Sequence, residues 1–396
     1  MPLPDKMLTS TKDWRFTMKI RRLISTLLIL ALTLSLGITA FAAGIQEDPC
    51  LPTDFALEQV AIIDANDAAC PWSDETVIDS TITLYNMEQI PDGYVFKLKT
   101  GSADSGFIQI HDISGTYSLY CYAYDGDSEV ECMADYWGTD LSDDTYIYFL
   151  GSFKYLIDDA DGKYLDLATN SCVEYSQSEL ATIESNYAGR IEASPYALVE
   201  SSVANAQSYA VPLGSDDDFT WPIMDDFSGI SITYGNTTQS VHDHCSPTAA
   251  TAIVRCLNHL GRTQCSTGET TRQTFEKMYV ALNTNEIRFD DSSSSGTGTA
   301  RSQIATGIKY YATQNGYTLT ATKPLLTTLS GMKSQLDNNR LLLVSVDDFA
   351  GTSGGHSIVV TGYSSDTLYI QNGWSRSRVT YTYSSLDIAQ YVYVGG

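Results

Sequence analysis

QSVHDHCSPTAATAIVRCLNHLG, residues 239–261, is the stretch on which the fold of the C-terminal half turns. Ala249, Ile253, Cys256, Leu257 and Leu260 recur at helical spacing, Pro247 suits a first helical turn, and Gly261 suits the stop. A helix buried along one face is therefore expected. Cys245 stands at its head, where the positive end of the helix dipole favours thiolate, the reactive form of the side chain. Taken alone, Cys245 reads as well as the start of the buried stripe, because free cysteine is usually buried and inert.

Downstream, a Ser-rich loop at 292–299 precedes helices expected at about 301–314 and 325–338. Strands follow at Leu341–Val346, Ser357–Thr361, Leu368–Gln371 and Val379–Tyr383. A helix-first half joined to a strand-rich half predicts an α+β fold. Upstream, Thr81–Tyr85, Tyr94–Leu98, Phe107–Ile110, Tyr117–Tyr124 and Tyr146–Leu150 are aromatic and β-branched and are broken by turn residues, which predicts an antiparallel sheet. Asp125-Gly126-Asp127 and Asp159-Ala160-Asp161-Gly162 are read as hairpin turns. The second fails as a calcium loop because Ile157 and Ala168 stand where carboxylate ligands belong.

Composition divides the chain. Lys19, Arg21 and Arg22, the apolar run Leu23–Ile38 and the small residues Ala40-Phe41-Ala42 predict a cleaved signal segment over 1–42, with Met18 as an alternative start. Residues 43–210 hold 5 Lys/Arg against 30 Asp/Glu, a net of -25, and residues 211–396 hold 12 against 16, a net of -4. The expected organisation is an acidic β-rich domain over 43–175, a polar connector over 176–210 and a second domain over 211–396. Such acidity repels phosphate backbones and anionic lipid, so neither nucleic acid nor a membrane surface is an expected partner after signal cleavage. Eight cysteines stand at 50, 70, 121, 132, 172, 245, 256 and 265, with no zinc-type Cys-x-x-Cys pair. A free Cys245 leaves seven, so at least one more thiol is unpaired, and Cys256 on the apolar face is the expected buried one.

Three polar segments of the second domain, 239–248, 354–360 and 370–375, carry the candidate chemistry. Gln239, six residues before Cys245, could aim its amide at an oxyanion, with the Cys245 N–H as second donor. His356 opens a strand after Gly354-Gly355. Pairing Thr361 with Thr367 across the loop Gly362–Asp366 would set His356 opposite Asn372, whose side chain could then orient the imidazole to take a thiol proton. His242 and His244 form a His-x-His beside Cys245, but further ligands are wanting, so solvated loop histidines are expected and no metal or cofactor. His111 and His259 are left as structural.

The order Gln239, Cys245, His356, Asn372, with Trp374 two residues after the asparagine, resembles the papain superfamily of cysteine peptidases. Cys245-Ser246-Pro247-Thr248-Ala249 is similar to the nucleophile motif of its bacterial C39-like branch, usually Cys-Gly-Pro-Thr, with Ser246 in place of the glycine. The likeness covers about residues 215–390. It implies a papain-like fold with the nucleophile on a helix N-terminus and His and Asn on an antiparallel sheet. It also implies Cys245 as nucleophile, His356 as base and then acid, Asn372 as orienter, Gln239 in the oxyanion hole and Trp374 as a cover over the His-Asn pair. The acidic domain resembles, more weakly, the propeptides of streptopain-like peptidases.

The expected function is a secreted cysteine endopeptidase acting on protein or peptide substrates and held latent by an intramolecular propeptide. Two alternatives stay open: Cys-His amidase or transglutaminase-like chemistry on cell wall or protein side chains, and a non-catalytic exported binding or adhesion protein.

Overall fold

The computed structural model describes residues 51–396 except 68, 114, 143, 152, 160–162, 177, 183–184, 186–207, 211–218, 288–297, 348–354 and 396. The expected signal segment, most of the connector and the Ser-rich loop lie outside the described residues. Among the described residues no helix is long and apolar enough to cross a membrane.

The first part opens with α1 (Pro52–Asn66), which the aromatic strand pattern did not suggest. Its stripe Ala56, Val60 and Ile63 packs with Trp72, Phe96, Leu98, Ile108 and Ile110 into one cluster. Strands β1 (Thr76–Tyr85), β2 (Pro91–Thr100), β3 (Ala103–Ile113) and β4 (Thr116–Ala123) pair antiparallel in sequence order. The Asp125–Asp127 segment leads into a second helix, α2 (Glu129–Trp137), and not into a hairpin. The physical reason is local. Ser128 caps the helix through a reciprocal pair with Glu131, and Gly138 at φ 67° ends it. Four short strands follow: β5 (Ile147–Phe149), β6 (Tyr155–Asp158), β7 (Tyr164–Asp166) and β8 (Ser171–Val173). Strand β5 joins β1 in parallel, so this half is mostly, not wholly, antiparallel.

A short β9 (Ser208–Ala210) and the two-stranded β10 (Ser231–Tyr234) and β11 (Thr237–Ser240) lead to α3 (Cys245–His259), the helix expected from the 239–261 stretch. Helices α4 (Thr271–Ala281) and α5 (Arg301–Gln314) come next, then β12 (Thr320–Thr322) and α6 (Leu329–Asp337). The remaining strands are β13 (Leu341–Val346), β14 (His356–Ser364), β15 (Thr367–Gln371), β16 (Val379–Thr382) and β17 (Ile388–Gly395).

All six residues of β13 are buried because both faces are covered. Leu341 and Leu343 join α3 and α5 through Ile253, Leu257, Ile304 and Ile308. Leu342, Val344 and Val346 face the opposite cluster with Met332, Leu336 and Trp374.

The two strand sets form one sheet, in the order β12-β17-β13-β14-β15-β16-β4-β3-β2-β1-β5-β6-β7-β8. The junction pairs Val379, Thr380 and Tyr381 with Ala123, Tyr122 and Cys121. One cluster runs through it, from Phe107, Tyr120, Phe149 and Tyr155 to Val344, Trp374, Val379 and Tyr381. The fold is thus α+β with a large, mostly antiparallel sheet.

The hairpin register differs from the one expected. Ser364 pairs with Thr367, a tight turn carries Ser365 at φ 51°, and the ladder shifts by one residue between Val360 and Gly362. Tyr369 and Ile370 then meet Gly362 and Val360, and the last pair is Val359 with Gln371. Continued, that register sets Asn372 beside Ile358 and not opposite His356. A bulge adds a residue to one strand only, which counting from an assumed loop cannot foresee.

Candidate active site

His244 is the N-cap residue of α3. Its Nδ1 lies 3.0 Å from Thr248 Oγ1, and its ring packs edge-on against Phe275 and Phe227. Burial, the largest cause, pushes its pKa down to about 4, so the ring is neutral at neutral pH. The expectation of a solvated His244 is corrected: the ring anchors the helix start inside an aromatic cluster. His242 is the exposed one of the pair, with Nδ1 2.8 Å from Asp243 Oδ2.

Cys245, the first helical residue, is half-buried and lines a cavity of about 230 Å³ together with Ser246, Met224, Asp243, Arg301 and His356. Burial pushes the thiol above its ordinary value and Asp243 adds to that, while Ser357 and the Ser246 hydroxyl pull the other way. In this covered state burial opposes the thiolate that a helix start favours.

His356 opens β14 opposite Val346. Its Nε2 lies 2.6 Å from the main-chain oxygen of Asn372. A carbonyl only accepts, so Nε2 carries the hydrogen and Nδ1 keeps the basic lone pair. Burial lowers the histidine's pKa, against the opposing pull of the Asn372 carbonyl and of Glu129. Trp374 stacks on the imidazole at 5.8 Å and 18°.

Asn372 is fully buried, and its side-chain hydrogen bonds go to groups other than His356. Its Oδ1 accepts from the N–H groups of Trp374 at 2.9 Å and Ser375 at 3.0 Å, and its Nδ2 donates to Glu129 Oε1 at 3.4 Å. The main chain of Asn372, and not its amide, therefore holds the ring. The loop that follows is tied down by Arg376, which donates to Asp226 at 2.6 and 3.1 Å and to the Trp221 carbonyl at 2.8 Å. Met224, at the cavity, donates its N–H to the Gly373 carbonyl at 2.8 Å.

Gln239 stands apart. It lies on β11, its Nε2 reaches the Asn285 carbonyl at 3.5 Å, and it is not among the residues lining the cavity. Of the four residues singled out in the sequence, the structure thus brings together Cys245, His356 and the backbone of Asn372. Gln239 is left on the adjoining hairpin.

The first half of the chain supplies residues that sequence patterning did not single out. Phe153, Ala168 and Thr169 line the same cavity as Cys245. The Phe153 ring lies 5.0 Å from His356, Tyr136 packs edge-on against Trp374 at 5.4 Å, and Glu129 meets Asn372. Nothing in a local pattern marks these residues, since each acts on partners far away in sequence. The only hint was the β-rich segment's lack of any chemistry of its own.

Residues 231–394 match the Peptidase_C39 like family. This part of the chain is similar to that family of cysteine peptidases. The matched C39-like segment runs from β10 through α3 to the end of β17 and contains Cys245, His356 and Asn372. No curated protein matches the chain.

Proposed function

We propose that the chain is a secreted cysteine endopeptidase, made latent, that cleaves peptide bonds with Cys245 as nucleophile and His356 as its base. The observation that carries this reading is the single cavity shared by a cysteine at a helix start and a histidine whose Nε2–H is engaged by the Asn372 carbonyl. That engagement leaves Nδ1 to accept the thiol proton. The thiolate attacks the substrate carbonyl carbon, and the oxyanion that forms takes hydrogen bonds from main-chain N–H groups at the α3 start. The C–N bond then breaks, the imidazolium gives its proton to the departing amine, and a thioester remains for water to hydrolyse. Gln239 is the second oxyanion donor in this scheme once its amide turns from Asn285, and Asn372 orients His356 through its main-chain carbonyl.

Latency is supported by the position of Phe153, Ala168 and Thr169 at the cavity and of Glu129 on Asn372. These residues belong to the acidic segment that precedes the family match, which is the part that maturation would remove. The test is to express the chain without residues 1–42 and follow peptide cleavage while sequencing the N-terminus of what accumulates. Activity should rise as the N-terminus moves toward residue 210. Cys245→Ser and His356→Ala should each abolish cleavage with the circular dichroism spectrum unchanged. Wild-type turnover by Cys245→Ser ends the peptidase reading, and full activity of the unprocessed chain ends the latency reading.

A further inference from the structure

Phe153 holds φ at 58°, a conformation that a bulky side chain adopts only at a cost. Its ring is 2% exposed and lies 5.0 Å from the His356 ring and 5.7 Å from the Tyr381 ring. The turn that carries it is braced from behind. Leu150 N–H donates to the Lys154 carbonyl at 2.9 Å and Lys154 N–H to the Gly151 carbonyl at 3.0 Å. The Lys154 ammonium is buried against the Asp166 carboxylate, itself buried. Asp166 in turn shapes a second turn: its Oδ1 accepts from Ala168 N–H at 2.9 Å, and its carbonyl accepts from Thr169 N–H at 3.3 Å. One buried ion pair therefore ties together the two loop tips, Phe153 and Ala168-Thr169, that line the cavity beside Cys245.

We propose that Phe153 fills the subsite for the substrate residue that follows the scissile bond, and that this subsite, once vacated, takes an aromatic or large apolar side chain. The inference rests on the peptidase reading above and goes beyond it by naming the substrate class. The reasoning is geometric. When the C–N bond breaks, the proton on His356 goes to the leaving nitrogen, so the residue that owns this nitrogen must sit against the imidazole. An aromatic ring already rests there, on a floor formed by Tyr381, which is fully buried, with Trp374 and Met224 alongside in the same apolar cluster. A side chain that replaces it meets the same apolar walls. A charged one would lose most of its hydration against those rings.

Phe153→Gly in the full chain tests this, because glycine accepts the positive φ and deletes the ring. Two measurements are made: alkylation of Cys245 by iodoacetamide, located by mass spectrometry, and cleavage of peptides that differ only in having Phe, Leu, Ala or Asp after the scissile bond. Cys245 should label several-fold faster than in the wild type. The Phe peptide should be cleaved with a kcat/KM about 10-fold or more above the Ala peptide, and the Asp peptide least. Cleavage without preference among the four overturns the subsite while leaving the peptidase reading intact. Failure of the processed wild-type chain, whose Cys245 is still open to alkylation by iodoacetamide, to cleave any of them overturns the peptidase reading, and the subsite with it. Should Phe153→Gly not fold, the same peptides on the processed wild-type chain carry the same expectation and the same refutation.

Discussion

Glu129→Gln probes the contact that the N-terminal segment makes on Asn372. Glu129 is 1% exposed, and its two oxygens meet Asn372 Nδ2 at 3.4 Å and Tyr155 Oη at 3.3 Å. Tyr155 Oη also lies 3.1 Å from Gln109 Oε1. A hydroxyl has one hydrogen and cannot donate to both oxygens. Protonated Glu129 satisfies every group: it donates to Tyr155, Tyr155 donates to Gln109, and Gln109 Nε2 donates to His111 Nε2 at 2.8 Å. His111 is a fit acceptor, since burial first of all pushes its pKa down to about 3. An ionised Glu129 would take the Tyr155 hydrogen and leave Gln109 Oε1 with only the weak thiol donor of Cys121 at 3.8 Å.

Burial accordingly lifts the Glu129 carboxyl from 4.5 to about 8, with Asn372, His356 and Tyr155 pulling down only in part. The folded chain keeps a proton here that the unfolded chain releases near pH 4.5. Its stabilising effect is therefore complete below that pH and is lost as pH rises toward 8. At about 1.4 kcal/mol per pH unit the whole loss is roughly 5 kcal/mol, of which about 3.5 kcal/mol falls between pH 5 and pH 8. The amide of Glu129→Gln makes the same hydrogen bonds at every pH. Urea unfolding of both proteins at pH 5, 6.5 and 8 should show the wild type losing about 3.5 kcal/mol relative to the variant across that range. His111, His244 and His356, all held below the ordinary histidine value, drive stability the other way, upward with pH, and do so in both proteins. Parallel pH curves for the two proteins would refute the neutral Glu129 and the proton order derived from it.

Lys154→Met should cost about 3–5 kcal/mol in urea unfolding by leaving Asp166 buried without its cation, and adding Asp166→Leu should recover most of the loss. A double variant no more stable than the single one would refute the buried pair. Gly307→Ala should lower Tm, because the added carbon would lie 2.7 Å from the Ala281 oxygen and 2.8 Å from Leu282 Cα, both backbone atoms. A cost of about 1–3 kcal/mol is expected, and an unchanged Tm would show that α4 and α5 part freely.

The C-terminal half was legible because its signals are local. The stripe from Ala249 to Leu260 and the run Leu341–Val346 follow from period and apolar content, and both elements occur where those patterns place them. The order of Gln239, Cys245, His356 and Asn372 was legible as chemistry, because each residue type suits one role. Their contacts were not. The hairpin closes at Ser364 and Thr367 with a shift between Val360 and Gly362, and the contact of His356 with the Asn372 carbonyl is a main-chain one that leaves no trace in residue identity. Helix α1 was missed because Phe55, Leu57, Ala61 and Ile62 lie around its buried stripe Ala56, Val60 and Ile63 and blur the helical period.

The acidic first half shows why composition and pairing answer different questions. A net charge of -25 over residues 43–210 records which side chains need water. The aromatic and aliphatic residues between them record what must leave it: Phe107, Tyr120, Phe149 and Tyr155 are buried in the cluster that also holds Trp374 and Tyr381. A strand alternates its faces, so the same segment can present an acidic surface to solvent and an apolar one to a neighbour. The charge step near residue 210 is therefore compatible with a continuous sheet, because Cys121, Tyr122 and Ala123 pair with β16 through backbone groups that carry no charge. Covering the site in this way costs no specific sequence motif. It needs only an apolar strand face that has no other surface to rest on, and Phe153 and Glu129 placed where the turn and helix beyond that face reach His356 and Asn372.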